Sequence, residues 1–137
     1  MREIKFRAWD YLNKQMWNSD EDGKSLGDNM SFHLYFENGL LKAVIDKCFD
    51  HTNIIDSKIY SCEIMQFTGL KDKNGVDIYA GDIMKDRFGA ICKIVYVEEY
   101  GSFKQLSEMG YSPLNQSAII SDNDVVIGNI YENKELL

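Results

Sequence analysis

Apolar and polar positions along this chain alternate in short runs separated by turn residues, and the runs read as strands. Ile4, Phe6 and Ala8 alternate with Lys5 and Arg7, the period-two signature of a half-buried strand. Asp10-Tyr11-Leu12-Asn13-Lys14 supplies turn chemistry, and Gln15-Met16-Trp17 returns as a second strand, so the chain opens on a hairpin. Trp9 and Trp17 flank that turn and are expected to pack as core. Residues 18–29 (NSDEDGKSLGDN) are polar and aperiodic, the pattern of a loop. Phe32 to Phe36 and Leu40 to Val44 flank Glu37-Asn38-Gly39 and predict a second hairpin, since Asn-Gly tolerates the positive φ of tight turns. Residues 46–58 fit a short helix or a loop, and Ile59 to Phe67 another strand.

The most patterned stretch is FTGLKDKNGVDIYAGDI, residues 67–83. Gly69, Gly75 and Gly81 are spaced by six, which fits neither a dinucleotide fingerprint nor a phosphate loop. Two hairpin registers compete. A two-residue Asn74-Gly75 turn would set Asp72 against Asp77, a repulsive pair that invites a cation. A three-residue Lys73-Asn74-Gly75 loop instead puts Gly75 in the left-handed position, Lys71 opposite Asp77, Leu70 opposite Ile78 and Tyr79 over Gly69. The second register is favoured and needs no metal. Asp72 then caps its own turn through backbone N–H groups, and Asp82 does the same at the corner after Ala80-Gly81.

Downstream, Ile83 to Lys85 is β, Asp86-Arg87-Phe88-Gly89 turns the chain, and Ala90 to Glu98 (AICKIVYVE) is the strongest strand, either central or in a closed, strongly twisted sheet. Residues 99–109 are read as strand with a bulge near Gly101, and 110–117, with the lone Pro113, as a loop. Ala118 to Ile120 reads as a short strand, Ser121 to Asp124 as a turn, Val125 to Ile130 as the last full strand, and the final six residues as one helical turn. These elements predict a mainly β fold, a small barrel or roll with an N-terminal hairpin extension. The expected division is an N-terminal hairpin region over 1–60 and a β-roll over 61–137, together forming one compact unit.

Composition narrows the function classes. The 137 residues are 45% apolar with one proline, the profile of an ordinary globular domain. No apolar run reaches the roughly 18 residues that cross a bilayer, and MREIKFRAW alternates instead of forming a signal-peptide core. Three cysteines, an odd and low count, suit free thiols in a reducing cytoplasm. Fifteen basic against 22 acidic residues leave a net charge of −7, which works against phosphate-backbone binding. Arg2, Lys5 and Arg7 form a small basic cluster that reads as a solvated strand face, or, with exposed aromatics and Trp9 and Trp17, as a minority binding surface.

Candidate chemistry is sparse. Asp20, Glu21, Asp22 and Asp28 are hard oxygen donors without EF-hand spacing. Cys48 and His51, with Cys62 and Cys92, lack the second close pair that structural zinc sites use. No Cys pairs with His33 or His51 in an activation motif, and no serine sits in a nucleophile elbow. No catalytic residue, metal or cofactor is expected.

Three segments together resemble the YopX family of small phage- and prophage-encoded proteins. REIKFRAWD (Arg2 to Asp10) is similar to its opening, MQFTGLKDKNGVDIYAGDI (Met65 to Ile83) to its central signature, and VIGNIYENKELL (Val126 to Leu137), with Gly128 and Asn129, to its closing one. Lys134 stands where the family often has proline. The resemblance implies an SH3-like roll in the C-terminal part and an uncharacterised role in phage biology, with no catalytic residue to carry over. The expectation is a non-enzymatic accessory protein of the bacterial cytoplasm that acts by self-association or on a bacterial or phage protein. A nucleic-acid-binding module of the SH3-like type is the alternative.

Overall fold

A computed structural model of the chain describes residues 3–11, 14–18, 30–47 and 58–137. The fold is mainly β, as the alternation predicts, and its sheets are antiparallel throughout the described registers. Two compact units are present, Lys5–Met65 and Met1–Ile4 with Gln66–Leu137. No helix among the described residues is long and apolar enough to cross a membrane.

In the first unit, β1 (Phe6–Asp10) and β2 (Gln15–Asn18) form the expected hairpin, with Trp9 opposite Met16 and Ala8 opposite Trp17. Among the described residues, Ala8, Trp9, Trp17, Ala43 and Met65 are its buried apolar ones. The second hairpin pairs β3 (Met30–Glu37) with β4 (Leu40–Lys47), and Asn38 and Gly39 adopt the paired positive φ of 51° and 76° that such two-residue turns require. β5 (Lys58–Ser61) adds to β4, and β6 (Glu63–Lys71) follows after Cys62. The undecided stretch 46–58 is β at both ends; residues 48–57 lie outside the described residues, as do 19–29 and their carboxylates.

The second unit is built on a five-stranded sheet. Its strands are β8 (Asp82–Lys85), β9 (Ile91–Val97), β10 (Ser102–Ser107), β11 (Gly110–Pro113) and β12 (Val125–Asn129), in the order β11-β10-β9-β8-β12. Of the two placements expected for β9, central or in a closed sheet, it takes the middle position of this sheet. Short β7 (Asp77–Tyr79) pairs with β6, and α1 (Gln116–Ser121) packs Ile119 against Ile78, Met84 and Ile94 to form the core.

Four local expectations need correction. Ala118 to Ile120 is helical, because Asn115 accepts from the Ala118 N–H at 2.8 Å and so caps a helix start. Residues 110–113 are not loop but edge strand β11, where Pro113 at the strand end removes no interior ladder bond. Gly101 is not a bulge: after a 3-10 turn at Glu98–Tyr100 it takes φ +59°, and the β9–β10 register runs unbroken from Val97–Ser102. Tyr79 pairs with Phe67 and not with Gly69, since Gly69, at φ +88°, takes up a register shift between Phe67 and Lys71.

The Lys71–Asp77 pair and the three-residue loop of the central signature fold as argued, while Leu70 opposite Ile78 is not among the β6–β7 pairs. Lys71 faces Asp77, and their side chains meet at 2.5 Å. Asp72 N–H donates to Val76 O and Gly75 N–H to Asp72 O, closing a Lys73-Asn74-Gly75 loop with Gly75 at φ +81°. Because the Lys71 side chain is more than half exposed, Lys71→Ala is expected to cost no more than about 0.5–1 kcal/mol in a urea melt.

Candidate functional site

The Asp72 turn has a close copy. Asp72 Oδ1 accepts from Asn74 and Val76 N–H at 2.8 and 2.9 Å, while Asp86 Oδ1 accepts from Phe88 and Ala90 N–H at 2.8 and 2.9 Å. The backbone closes alike in both, Asp86 N–H to Ala90 O and Gly89 N–H to Asp86 O. Two Asp-x-x-Gly turns, one between β6 and β7 and one between β8 and β9, thus tie down the segment that follows α1. From the first turn, Asp72 Oδ2 accepts from Val126 N–H at 3.0 Å and Lys73 N–H donates to Asp124 O. From the second, Arg87 N–H donates to Asp122 O. Gln116 adds a further clamp, its side-chain amide pairing with both backbone groups of Lys71.

These clamps assemble a cavity of about 380 Å³ between the sheet and α1. Asp86, Asp122 and Asp124 line it, with Cys92 of β9 and Gln105 of β10 on the sheet side. Asp124 is 4% exposed and carries a carboxyl pushed up to about 6, first by burial and then by the carboxylates of Asp122 and Asp86. Burial, Asp124 and Asp86 also push the Cys92 thiol up to about 11, and the thiol donates to Gln105 Oε1 at 3.4 Å. Asp122 sits at the C-terminal end of α1, where the helix favours cations. Lys73, Lys85 and Arg87 are near in sequence, yet none is ion-paired to the three aspartates; Arg87 lies over the Phe88 ring at 4.7 Å. Among the described residues no lysine or arginine is ion-paired to these three carboxylates.

The residues singled out in the sequence divide into scaffold and core. Asp82 is buried and accepts from Tyr79 N–H at 2.8 Å, and Tyr79 packs on Phe67 with ring centres 5.6 Å apart. Gly81 joins strands, its N–H on Ile94 O and its O accepting from Ile130 N–H. Asn129 Oδ1 accepts from Tyr131 and Glu132 N–H, and Asn133 Oδ1 accepts from Asn129 N–H. A Cβ on Gly128 would lie 2.4 Å from that Asn133 oxygen, so Gly128→Ala is expected to destabilise by about 1–3 kcal/mol. Adding Asn133→Ala should recover part of the loss in a double-mutant cycle.

The minority binding surface is not a stacking platform. Trp9 and Trp17 are buried, and the Trp17 indole N–H donates to buried Asp10 at 3.3 Å. Arg7 donates to Met65 Sδ at 3.5 Å, Lys5 is half-buried, and Arg2 lies outside the described residues. Cys48 and His51 of the weighed zinc set are also outside them. Burial, then Asp10 and Glu63, push the Cys62 thiol up to about 12, so Cys62 and Cys92 are both protonated at neutral pH. Asp86, Asp122 and Asp124 were legible in the sequence only as turn residues; the repeated Asp-x-x-Gly spacing is the signal that points to two of the three supports.

The family model of the YopX protein matches residues 5–137. The chain belongs to the YopX family. Among solved structures, this YopX-family chain is similar to protein EF1440 from Enterococcus faecalis, at 32% identity and a TM-score of 0.64 over 100% of this chain and 99% of that one. It is also similar to protein yopX from Bacillus subtilis, at 17% identity and a TM-score of 0.56, again over 100% and 99% of the two chains. The likeness to the second is one of fold. No curated protein matches the chain.

Proposed function

We propose that this YopX-family protein is a phage- or prophage-encoded accessory protein that works without catalysis, by holding a basic segment of a bacterial or phage protein in the host cytoplasm. The observation that carries this reading is the uncompensated cluster of Asp86, Asp122 and Asp124, with Asp124 buried in the cavity wall. A buried carboxylate such as Asp124, beside the half-buried Asp86 and Asp122, works against folding when no cation pairs with it, and a cation delivered by a partner relieves both the desolvation and the mutual repulsion. The net charge of −7 extends the attraction beyond the cavity and raises the rate of encounter with a basic surface. The phage setting rests on the resemblance carried by the three signatures. The protonated thiols give no activated nucleophile, which supports a binding role.

The test is affinity capture from the host with the wild-type chain and with the Asp122→Asn/Asp124→Asn variant as baits. A partner retained by the wild type, released by salt and lost with the variant supports the proposal. Identical capture by both baits removes the cavity from the account. Size-exclusion chromatography of the purified chain tests self-association, with a strict monomer leaving the hetero-partner alone.

A further inference from the structure

From the shape and chemistry of the acidic cavity, and resting on the reading that it holds a basic segment, we infer that the group it seats is the guanidinium of a partner's arginine side chain. Acceptors come from three directions. Asp86 projects from the β8–β9 turn, Asp122 and Asp124 from the exit of α1, and Gln105 Oε1 from the sheet. Buried Asp124 lines the cavity, and neither a hydrogen-bond donor nor an ion-pair partner for its carboxylate is present among the described residues.

The spread of the acceptors selects the kind of cation. Among the described residues no three of His, Cys, Asp or Glu stand close enough to share one metal ion. An extended planar cation with five N–H donors spans separated carboxylates that a point charge cannot reach together. A guanidinium is also more weakly hydrated than an ammonium, so it loses less on entering a partly buried site. Ala90, Ile91, Pro113 and Ala118 supply apolar wall to the same cavity, a surface suited to the methylene stem of a long side chain. The cavity of about 380 Å³ lies at the small end of the roughly 300–1,000 Å³ range of ligand pockets and has room for a long side chain.

The experiment is an NMR titration of the full chain at pH 7.5 and low salt with two probes, acetyl-Gly-Arg-Gly-amide and acetyl-Gly-Lys-Gly-amide. The expected result is that the arginine peptide moves the backbone amides of Asp86, Gln105, Asp122 and Asp124. It should bind at least about fivefold more tightly than the lysine peptide. Asp124→Asn should weaken the arginine peptide about tenfold. Asp122→Asn, at a half-buried member of the cluster, serves as a second variant, and a smaller loss is expected. Equal binding of the two peptides at these residues overturns the arginine assignment and leaves the acidic cavity as a general cation site. Binding of neither peptide overturns the arginine assignment and the reading it rests on. Shifts confined to other residues overturn both as well.

Discussion

Replacing Asp72 with alanine is expected to destabilise the protein by about 3–4 kcal/mol, the largest loss for any single side chain in the signature hairpin. Asp72 is 4% exposed and its two carboxylate oxygens accept from three backbone N–H groups, those of Asn74, Val76 and Val126. Hydrogen bonds to a charged group contribute roughly 1.5–3 kcal/mol each. The sum is discounted because Asn74 and Val76 are exposed, so their N–H groups regain water, whereas Val126 is half-buried. Asp86→Ala is the control. It deletes the same two local bonds from a matching turn but no bond to a distant strand, and its cost should be about 1 kcal/mol. Urea melts of the two variants check the difference. Equal losses would show that the Asp72–Val126 bond contributes nothing, and that the signature loop does not anchor the segment around Asp124.

The second large effect is a pH dependence with an unusual sign. Asp124 titrates near 6 when folded against an ordinary value of 3.8, because burial and two neighbouring carboxylates disfavour its charged form. Between those values the folded protein holds a proton that the unfolded chain has released. Stability is therefore fully present below about pH 4 and is lost as pH rises through about 6. The two values differ by about 2 pH units, and because solvent in the cavity screens the carboxylate, the loss by pH 7 is well under the roughly 3 kcal/mol of a fully desolvated group. Asp124→Asn removes this contribution. The variant should be more stable than wild type at pH 7.5, with the gap narrowing toward pH 5. A constant difference between the two proteins across that range would contradict a buried, repelled carboxylate at this position.

Much of the fold could be read from local chemistry, and the failures have physical causes. Asn38-Gly39 and Lys73-Asn74-Gly75 fix their turns through backbone conformations that few residues adopt, so both hairpins and the Lys71–Asp77 register follow from the residues alone. α1 did not, because six residues are too few for a helical period, and Ala118-Ile119-Ile120 reads as a β run until Asn115 is recognised as its cap. The place of Tyr79 opposite Phe67 depends on a shift at Gly69 that the pairing rules do not anticipate. The acidic cavity was least legible of all. Asp86, Asp122 and Asp124 belong to ordinary turns in sequence, and only tertiary bonds from Lys73 and Arg87 to the segment after α1 bring them together. Asp122 at a helix C-terminus and Asp124 in a buried wall both break rules of local stability, which is where binding surfaces are expected to depart from them.

The most direct measurement of the central claim is the carboxyl titration of Asp124, followed by NMR in the free protein and with a saturating basic peptide. The account predicts a value near 6 for the free chain and a fall into the ordinary carboxylate range once a cation occupies the cavity. An Asp124 that titrates near 4 in the free chain, or that stays near 6 with peptide bound, would contradict it.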